Sequence, residues 1–284
     1  MKKYDRKRVN YCCKIGTIVC ILTLLSGLSA LESGGFSKKI KLRGAYSLSR
    51  LENMSSTQLH AQIPKLLYGT AWKKEKTAEL VLLAVRSGFR GIDTACQPKH
   101  YNERGVGIAL AKLFEEGTVS REEIFIQTKF TSLDGQDPQN ISYDQYSSLE
   151  EQVRQSFRKS CENLGINYID SFVLHSPLQS FMDTMRVWRI MEEFYLNGSV
   201  KHLGISNTYD VEFFKRLYES AIVKPTFIQN RFYSRSGYDV QIREFCQLHR
   251  ITYQSFWTLT ANPHILSRYR LNNEIKISIR LGPS

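Results

Sequence analysis

From Lys65 onward, short apolar runs alternate with segments of helical period, and that order of elements narrows the fold more than any other feature of the chain. LLYGT, RGIDTA, IFIQTKF, YIDSFVLH, VKHLGIS, PTFIQN and RITYQSF read as strands. Between them lie helical segments: Thr77 to Ser87 with Gly88 as its stop, then YNERGVGIALAKLFEEG. A third begins at a capping box of Ser148 and Glu151 and continues through Val153, Phe157, Cys161 and Leu164. MRVWRIMEEFYLNG, VEFFKRLYESA and VQIREFCQLHR complete the set. Strands separated by helices of this length form parallel βαβ units. A doubly wound sheet would carry GxGxxG directly after its first strand. LLYGTAWKK has no such loop, and Gly105-Val106-Gly107 falls inside a helix, where it reads as a close-packing device. The expected fold is therefore α/β, a (β/α)8 TIM barrel, incomplete at the eighth strand and helix.

A chain of 284 residues suits one barrel. Its net charge of +12 would point to nucleic acid if it were spread over the fold, but residues 1–62 hold 11 Lys and Arg against 3 acids. The barrel segment is close to neutral and has no basic stripe interleaved with aromatics, which argues against a nucleic-acid partner. The six cysteines include no CxxC and no ligand-spaced Cys/His cluster, so neither a metal site nor a disulfide framework is expected. Cys161 reads as a small core hydrophobe. Cys96 reads first as packing and second as a reactive group lining a site.

Residues 1–62 form a leader, 63–264 the barrel, and 265–284 an atypical tail. The leader has a basic start and then 17 uncharged residues, Ile15 to Leu31. That is short for a membrane span and suits a secretory signal with small residues near Ser29 and Ala30; a signal anchor, tethering the protein to a membrane through 15–31, is the competing reading. An upstream misread start is a third. The Ser- and Lys-rich stretch after it has the composition of a transit peptide or of a disordered linker, so a secretory, membrane-anchored or plastid destination is open, and a cytoplasmic one if the leader is unused. Sequons at Asn53, Asn140 and Asn197 matter only in the secretory pathway.

The chemistry-bearing residues sit at strand ends. Asp93 closes RGIDTA, Lys129 closes FIQTK, His175 closes YIDSFVLH, and Tyr101 follows Asp93 in the loop PKHYNE. In an α/β barrel those ends converge on one face. A phenol titrates near ~10, and a neighbouring ammonium lowers that value. Singly, Asp93 also reads as a helix cap, Lys129 as a solvated strand end and His175 as a core histidine; their combination in this order favours a site.

RGIDTA…YNERGVG, IQTK, VLHSP, KHLGISN and FIQN, in that order, resemble the aldo-keto reductase family over roughly Ile63 to Asn262. The resemblance implies a barrel that transfers hydride from NADPH to an aldehyde or ketone. NADPH over NADH is implied only by the family, and NADH is not excluded. Tyr101 is then the general acid, Lys129 lowers its pKa, Asp93 holds the ammonium, and His175 orients the substrate carbonyl. Ser206, Asn207 and Gln229 match the set that hydrogen-bonds the nicotinamide carboxamide, although Ser206-Asn207 is also plain turn chemistry. Gly69 and Thr70 join Asp93 in the cofactor set. Phe256 or Trp257 offers a ring to stack on the nicotinamide. Trp72 matches an aromatic lining the substrate pocket, with a core role as the alternative.

The sequence departs from the family in two places. CQPKH lengthens the loop between Asp93 and Tyr101. After Asn262 the expected helix, strand and 2′-phosphate-binding loop give way to HILSRYRLNNEIKISIRLGPS, in which Ile275, Ile277, Ile279 and Leu281 alternate as a substitute strand would. Without such a strand the barrel has unpaired edges between its first and seventh strands. Two alternatives to a reductase follow: a catalytically impaired relative acting as a binding or regulatory subunit, and a truncated gene product. Substrate identity and oligomeric state are not legible.

Overall fold

The chain is described by a computed structural model over residues 63–263, together with a three-residue strand, Ile18–Cys20. The β-branched and aromatic runs form strands β2 (Leu66–Gly69), β3 (Gly91–Asp93), β4 (Phe125–Phe130), β5 (Ile169–Leu174), β6 (Val200–Ser206), β7 (Phe227–Arg231) and β8 (Thr252–Phe256). They pair in parallel, each with its successor, as βαβ connections require. The helices between them are α1 (Thr77–Arg86), α2 (Glu103–Glu115), α3 (Leu149–Leu164), α4 (Phe181–Leu196), α5 (Val211–Ser220) and α6 (Val240–His249).

Among the described residues the parallel strands stop at seven, so the (β/α)8 pattern is incomplete at its eighth strand and helix as expected, and the gap between β2 and β8 is bridged by a strand from the leader. Ile18–Cys20, here β1, pairs antiparallel with β2 through Ile18↔Tyr68, Val19↔Leu67 and Cys20↔Leu66, and with β8 through Cys20↔Ser255. Its backbone groups satisfy donors and acceptors that a free edge would leave unpaired. The rest of the leader, including the signal or anchor reading of 15–31, and the substitute strand expected at 274–281 lie outside the described residues. Among the described residues no helix is long and apolar enough to cross a membrane.

Side chains alternate across each strand. Outward-facing apolar residues meet the helices: Phe172, Trp188, Met191, Leu203 and Phe214 in one cluster, Val81, Leu110, Leu113, Ile126 and Leu164 in another. A third, smaller cluster of Leu67, Phe125 and Phe227 plugs the interior. Gly107 sits where α2 meets α3, and a Cβ there would collide with the Asn163 carbonyl oxygen, so the close-packing reading holds. Gly88 follows α1 at φ 100°, a left-handed position that an L residue occupies with strain. Ser148 caps α3 by accepting from Glu151 N, but the expected return bond of a capping box is missing because the Glu151 carboxylate pairs with Arg158 at 2.6 Å.

Candidate active site

Period-2 alternation puts Gln127 and Lys129 of β4 inside the barrel and Thr128 outside. β4 is buried along its whole length, so its polar side chains must find partners there. Lys129 Nζ donates to Asp93 Oδ1 at 2.6 Å and to the Thr94 carbonyl at 2.8 Å. Asp93 Oδ1 also accepts from Gln127 Nε2 at 2.7 Å and Gln229 Nε2 at 3.2 Å, and both glutamines bond Gln254 Oε1. One carboxylate therefore gathers β3, β4 and β7, and the Gln254 side chain brings in β8. A buried ion pair is tolerable where other polar groups engage its donors and acceptors, and this network engages Asp93 Oδ1 and two of the three Lys129 donors. An ammonium has three donors; Asp93 and Thr94 occupy two.

Tyr101 follows a tight turn in which the Tyr101 and His100 amides both bond the Gln97 carbonyl. Asn102 then caps α2 by accepting from Gly105 N and donating to the Lys74 carbonyl. This places the Tyr101 ring centroid 5.4 Å from Lys129 Nζ and 6.0 Å from the His175 ring, edge to face. Asp93, Lys129, Tyr101 and His175 are thus brought together at the C-terminal ends of β3, β4 and β5. Among the described residues the Tyr101 hydroxyl has no protein hydrogen-bond partner.

The expectation that Lys129 makes Tyr101 acidic is corrected. Burial pushes the phenol above its ordinary range, and the Asp93 carboxylate pushes it further the same way. At 2.6 Å from the ammonium, Asp93 offsets the field Lys129 would otherwise exert on the ring. His175 is held down to about 3 by burial first, then by the Lys129 and His100 charges. It is therefore neutral at physiological pH. Its Nδ1 shares a hydrogen with Thr131 Oγ1 at 2.6 Å, and Nε2 makes no protein hydrogen bond among the described residues.

Gly69 ends β2 opposite Asp93, and Thr70 N and Oγ1 both donate to the Asp93 carbonyl at 2.9 and 3.0 Å. Ser206 and Gln229 are buried and bonded to each other, Ser206 Oγ donating to the Gln229 carbonyl at 2.6 Å. Asn207 has φ 52°; its Nδ2 donates to the His175 carbonyl at 2.9 Å. The core reading of Trp72 is overturned, since it is 60% exposed and stacks on His100 with centroids 3.9 Å apart. The lengthened loop supplies His100, which explains why this tryptophan is held at the surface. Phe256 is half-buried and Trp257 more exposed, and the Arg231 guanidinium lies over both rings. Cys96 is buried and its thiol is pushed up to about 12 by burial and then by Glu103, so it is an unreactive packing group. Cys161 is partly buried against the outer core.

The donor set fits an amide-bearing aromatic ring. Among the described residues Asn207 Oδ1 is met by Tyr209 Oη alone, at 3.4 Å, and the half-buried Phe256 ring supplies a stacking face. The Gln229 amide nitrogen, by contrast, is already engaged by Asp93 and Gln254.

Several residues of this site are absent from the sequence reading. Gln127 and Gln254 are polar residues on buried strands, and inward parity with Lys129 and Phe256 is the signal that marks them. Glu103 lies within the recognised YNE but has a role of its own. Among the described residues its buried carboxylate has no cation; it accepts from Thr128 Oγ1 at 2.5 Å, Ser160 Oγ at 2.9 Å and Asn163 Nδ2 at 3.2 Å. Burial raises its pKa against these hydrogen bonds. Only the tertiary contacts reveal that arrangement. A surface groove lined by Phe114, Arg121, Cys161 and Ile166 lies on the outside of the barrel beside α3.

The chain is similar to known proteins over most of the described residues. The family described as "Aldo/keto reductase family" matches residues 65–274. Glyoxal reductase of Bacillus subtilis is 32% identical over 173 residues, covering 61% of this chain and 54% of that protein. The 9,11-endoperoxide prostaglandin H2 reductase of Trypanosoma cruzi is 31% identical over 205 residues, covering 70% and 64%. An aldo-keto reductase of the silkworm Bombyx mori, solved as a complex with NADPH, is 25% identical with a TM-score of 0.53, covering 66% of this chain and 57% of that one. The chain thus spans between half and two-thirds of the length of these relatives.

Proposed function

The chain belongs to the aldo/keto reductase family, and from that premise we propose that it reduces an aldehyde or ketone to the alcohol with NADPH as reductant and Tyr101 as general acid. The observation that carries this reading is the buried Asp93–Lys129 pair, with the Tyr101 ring 5.4 Å from the ammonium and His175 at its edge. NADPH, when bound, supplies the hydride that adds to the carbonyl carbon. Tyr101 gives its proton to the carbonyl oxygen. Its raised pKa means the phenol holds that proton through neutral pH, and a substrate oxygen takes up the hydroxyl's unused hydrogen-bonding capacity. His175, neutral, offers Nε2 to orient the same oxygen. The third Lys129 donor is left for the phenolate that the proton transfer creates, and Asp93 keeps the ammonium in place. A positioned acid is worth about 100- to 10,000-fold.

Ser206, Asn207 and Gln229 would hold the nicotinamide carboxamide, Phe256 or Trp257 its ring, and Gly69, Thr70 and Asp93 the adjoining floor. Trp72 would wall the substrate. Glyoxal, named in the Bacillus subtilis relative, is the first carbonyl to test. The second reading, a relative that binds nucleotide without turning over, is favoured by one observation: no hydrogen bond joins Tyr101 to Lys129 or His175 among the described residues.

An NADPH fluorescence titration, followed by assay of glyoxal and a simple aldehyde, separates the two. Saturable binding with turnover supports the reductase. Binding without turnover supports the second reading, and absence of binding at high micromolar NADPH sinks the reductase reading.

A further inference from the structure

Arg231 closes β7 at the C-terminal mouth of the barrel. Two residues earlier, Gln229 points inward to Asp93 and Gln254, while Asn230 points outward to the Thr208 carbonyl and Asp239. Alternation therefore returns Arg231 to the inner face, one step nearer the mouth than the Asp93 network. Its guanidinium carbon lies 4.1 Å from the Trp257 ring centroid, 5.4 Å from Tyr233 and 5.9 Å from Phe256. Three rings hold the cation, and Nε is buried without an acceptor.

Among the described residues no carboxylate pairs with Arg231. Asp239, the acid that follows it on the chain, is taken up on the outer face by Asn230 and Tyr253. The contrast with Lys129, neutralised by Asp93, is direct. A guanidinium stacked on aromatic faces keeps its in-plane N–H edge for a ligand, and that edge matches the two oxygens of a phosphate or carboxylate.

We propose that Arg231 is an anion anchor at the barrel mouth, binding an oxyanion of a ligand that lies against Phe256 and Trp257. It deepens the reductase reading and rests on it for the identity of that ligand. The oxyanion comes either from the phosphates of the dinucleotide or from a carboxylate on the carbonyl substrate.

The test compares wild type with Arg231→Gln and Arg231→Lys, each first checked for an unchanged circular dichroism spectrum and melting curve. Calorimetry with inorganic pyrophosphate and with succinate reads the anchor without any reaction. NADPH titration, and KM for succinic semialdehyde beside neutral butanal, identifies the source. The glutamine variant is expected to weaken one anion by roughly ten- to a hundred-fold, and lysine, lacking the planar fork, to recover only part of that. Loss on pyrophosphate and NADPH assigns the dinucleotide; loss on succinate with a raised KM for succinic semialdehyde but not butanal assigns an acidic substrate. Wild type and Arg231→Gln alike on every probe overturn the anchor, even where butanal reduction leaves the reductase reading intact. Pyrophosphate bound by Arg231 in a protein that reduces no aldehyde keeps the anchor and sinks the reductase reading.

Discussion

The Glu103 carboxylate accepts a 2.5 Å hydrogen bond from the Thr128 hydroxyl, and so ties the start of α2, two residues beyond Tyr101, to the strand position next to Lys129. The helix that begins just after Tyr101 and the strand that carries Lys129 are thereby clamped together on the outer face of the barrel. Ser160 and Asn163 extend the clamp to α3.

Glu103→Ala leaves three polar groups without their acceptor and is expected to cost about 2–3 kcal/mol in a urea titration. Glu103→Gln separates charge from shape. The folded pKa of Glu103 is raised, so the native state binds the proton more tightly than the unfolded chain, and the contribution to stability falls as pH rises through the folded pKa. The glutamine variant should therefore gain on wild type as pH rises above the ordinary carboxyl value of 4.5. A constant offset above that value would refute the raised pKa.

Asp93→Asn leaves the Lys129 ammonium buried without its counter-charge. Breaking a buried pair on one side costs roughly 3–5 kcal/mol. Denaturation midpoints of Asp93→Asn, Lys129→Met and the double variant test this. The double variant should be less destabilised than the sum of the singles, and strict additivity would show that the pair contributes nothing.

Tyr101→Phe removes one oxygen from a residue whose hydroxyl holds up no protein group. Turnover of glyoxal should drop about 100- to 10,000-fold, while NADPH affinity stays within about two-fold. Retained turnover would remove Tyr101 from the role of acid.

His175 is held at about 3, far below its ordinary value. The sign follows from the unfolded chain, which binds the proton near ~6.5 while the native state does not. Stability is thus undiminished above ~6.5 and is lost as pH falls toward 3, by about 1.4 kcal/mol per pH unit at most. His175→Asn should flatten the stability profile between about pH 7 and 5. A variant as acid-sensitive as wild type would place the loss elsewhere.

Gly107→Ala puts a methyl against the Asn163 carbonyl oxygen, which is backbone and cannot swing away. α2 must then shift from α3. The melting temperature is expected to fall by several degrees, consistent with about 1–3 kcal/mol for overpacking. An unchanged melting curve would mean the two helices separate freely.

The alternation of elements, the four residues Asp93, Tyr101, Lys129 and His175, and the close approach at Gly107 were legible in the sequence because each leaves a local signature. Period 2 or 3.6, a polar residue at a strand end, and a small residue within a helix are properties of neighbouring positions. The closure of the barrel by Ile18–Cys20 was not legible, since an apolar run carries no information about which edge it pairs with.

Nor could the chain order of residues tell how charges add. Lys129 beside Tyr101 argues for an acidic phenol, yet burial and then Asp93, which lies against the same ammonium, both shift the phenol upward. The same holds for Glu103 and Gln254, whose partners are distant in sequence, and for the contacts of Arg231 with Phe256 and Trp257. Local pattern therefore settles which strands and helices form and which end of them bears the chemistry, because both depend on adjacent residues. Ionisation states, the Gln127–Gln229–Gln254 network and the ring-flanked guanidinium at the mouth depend on distances through the barrel's low-dielectric interior, and those exist only once the strands have closed on one another.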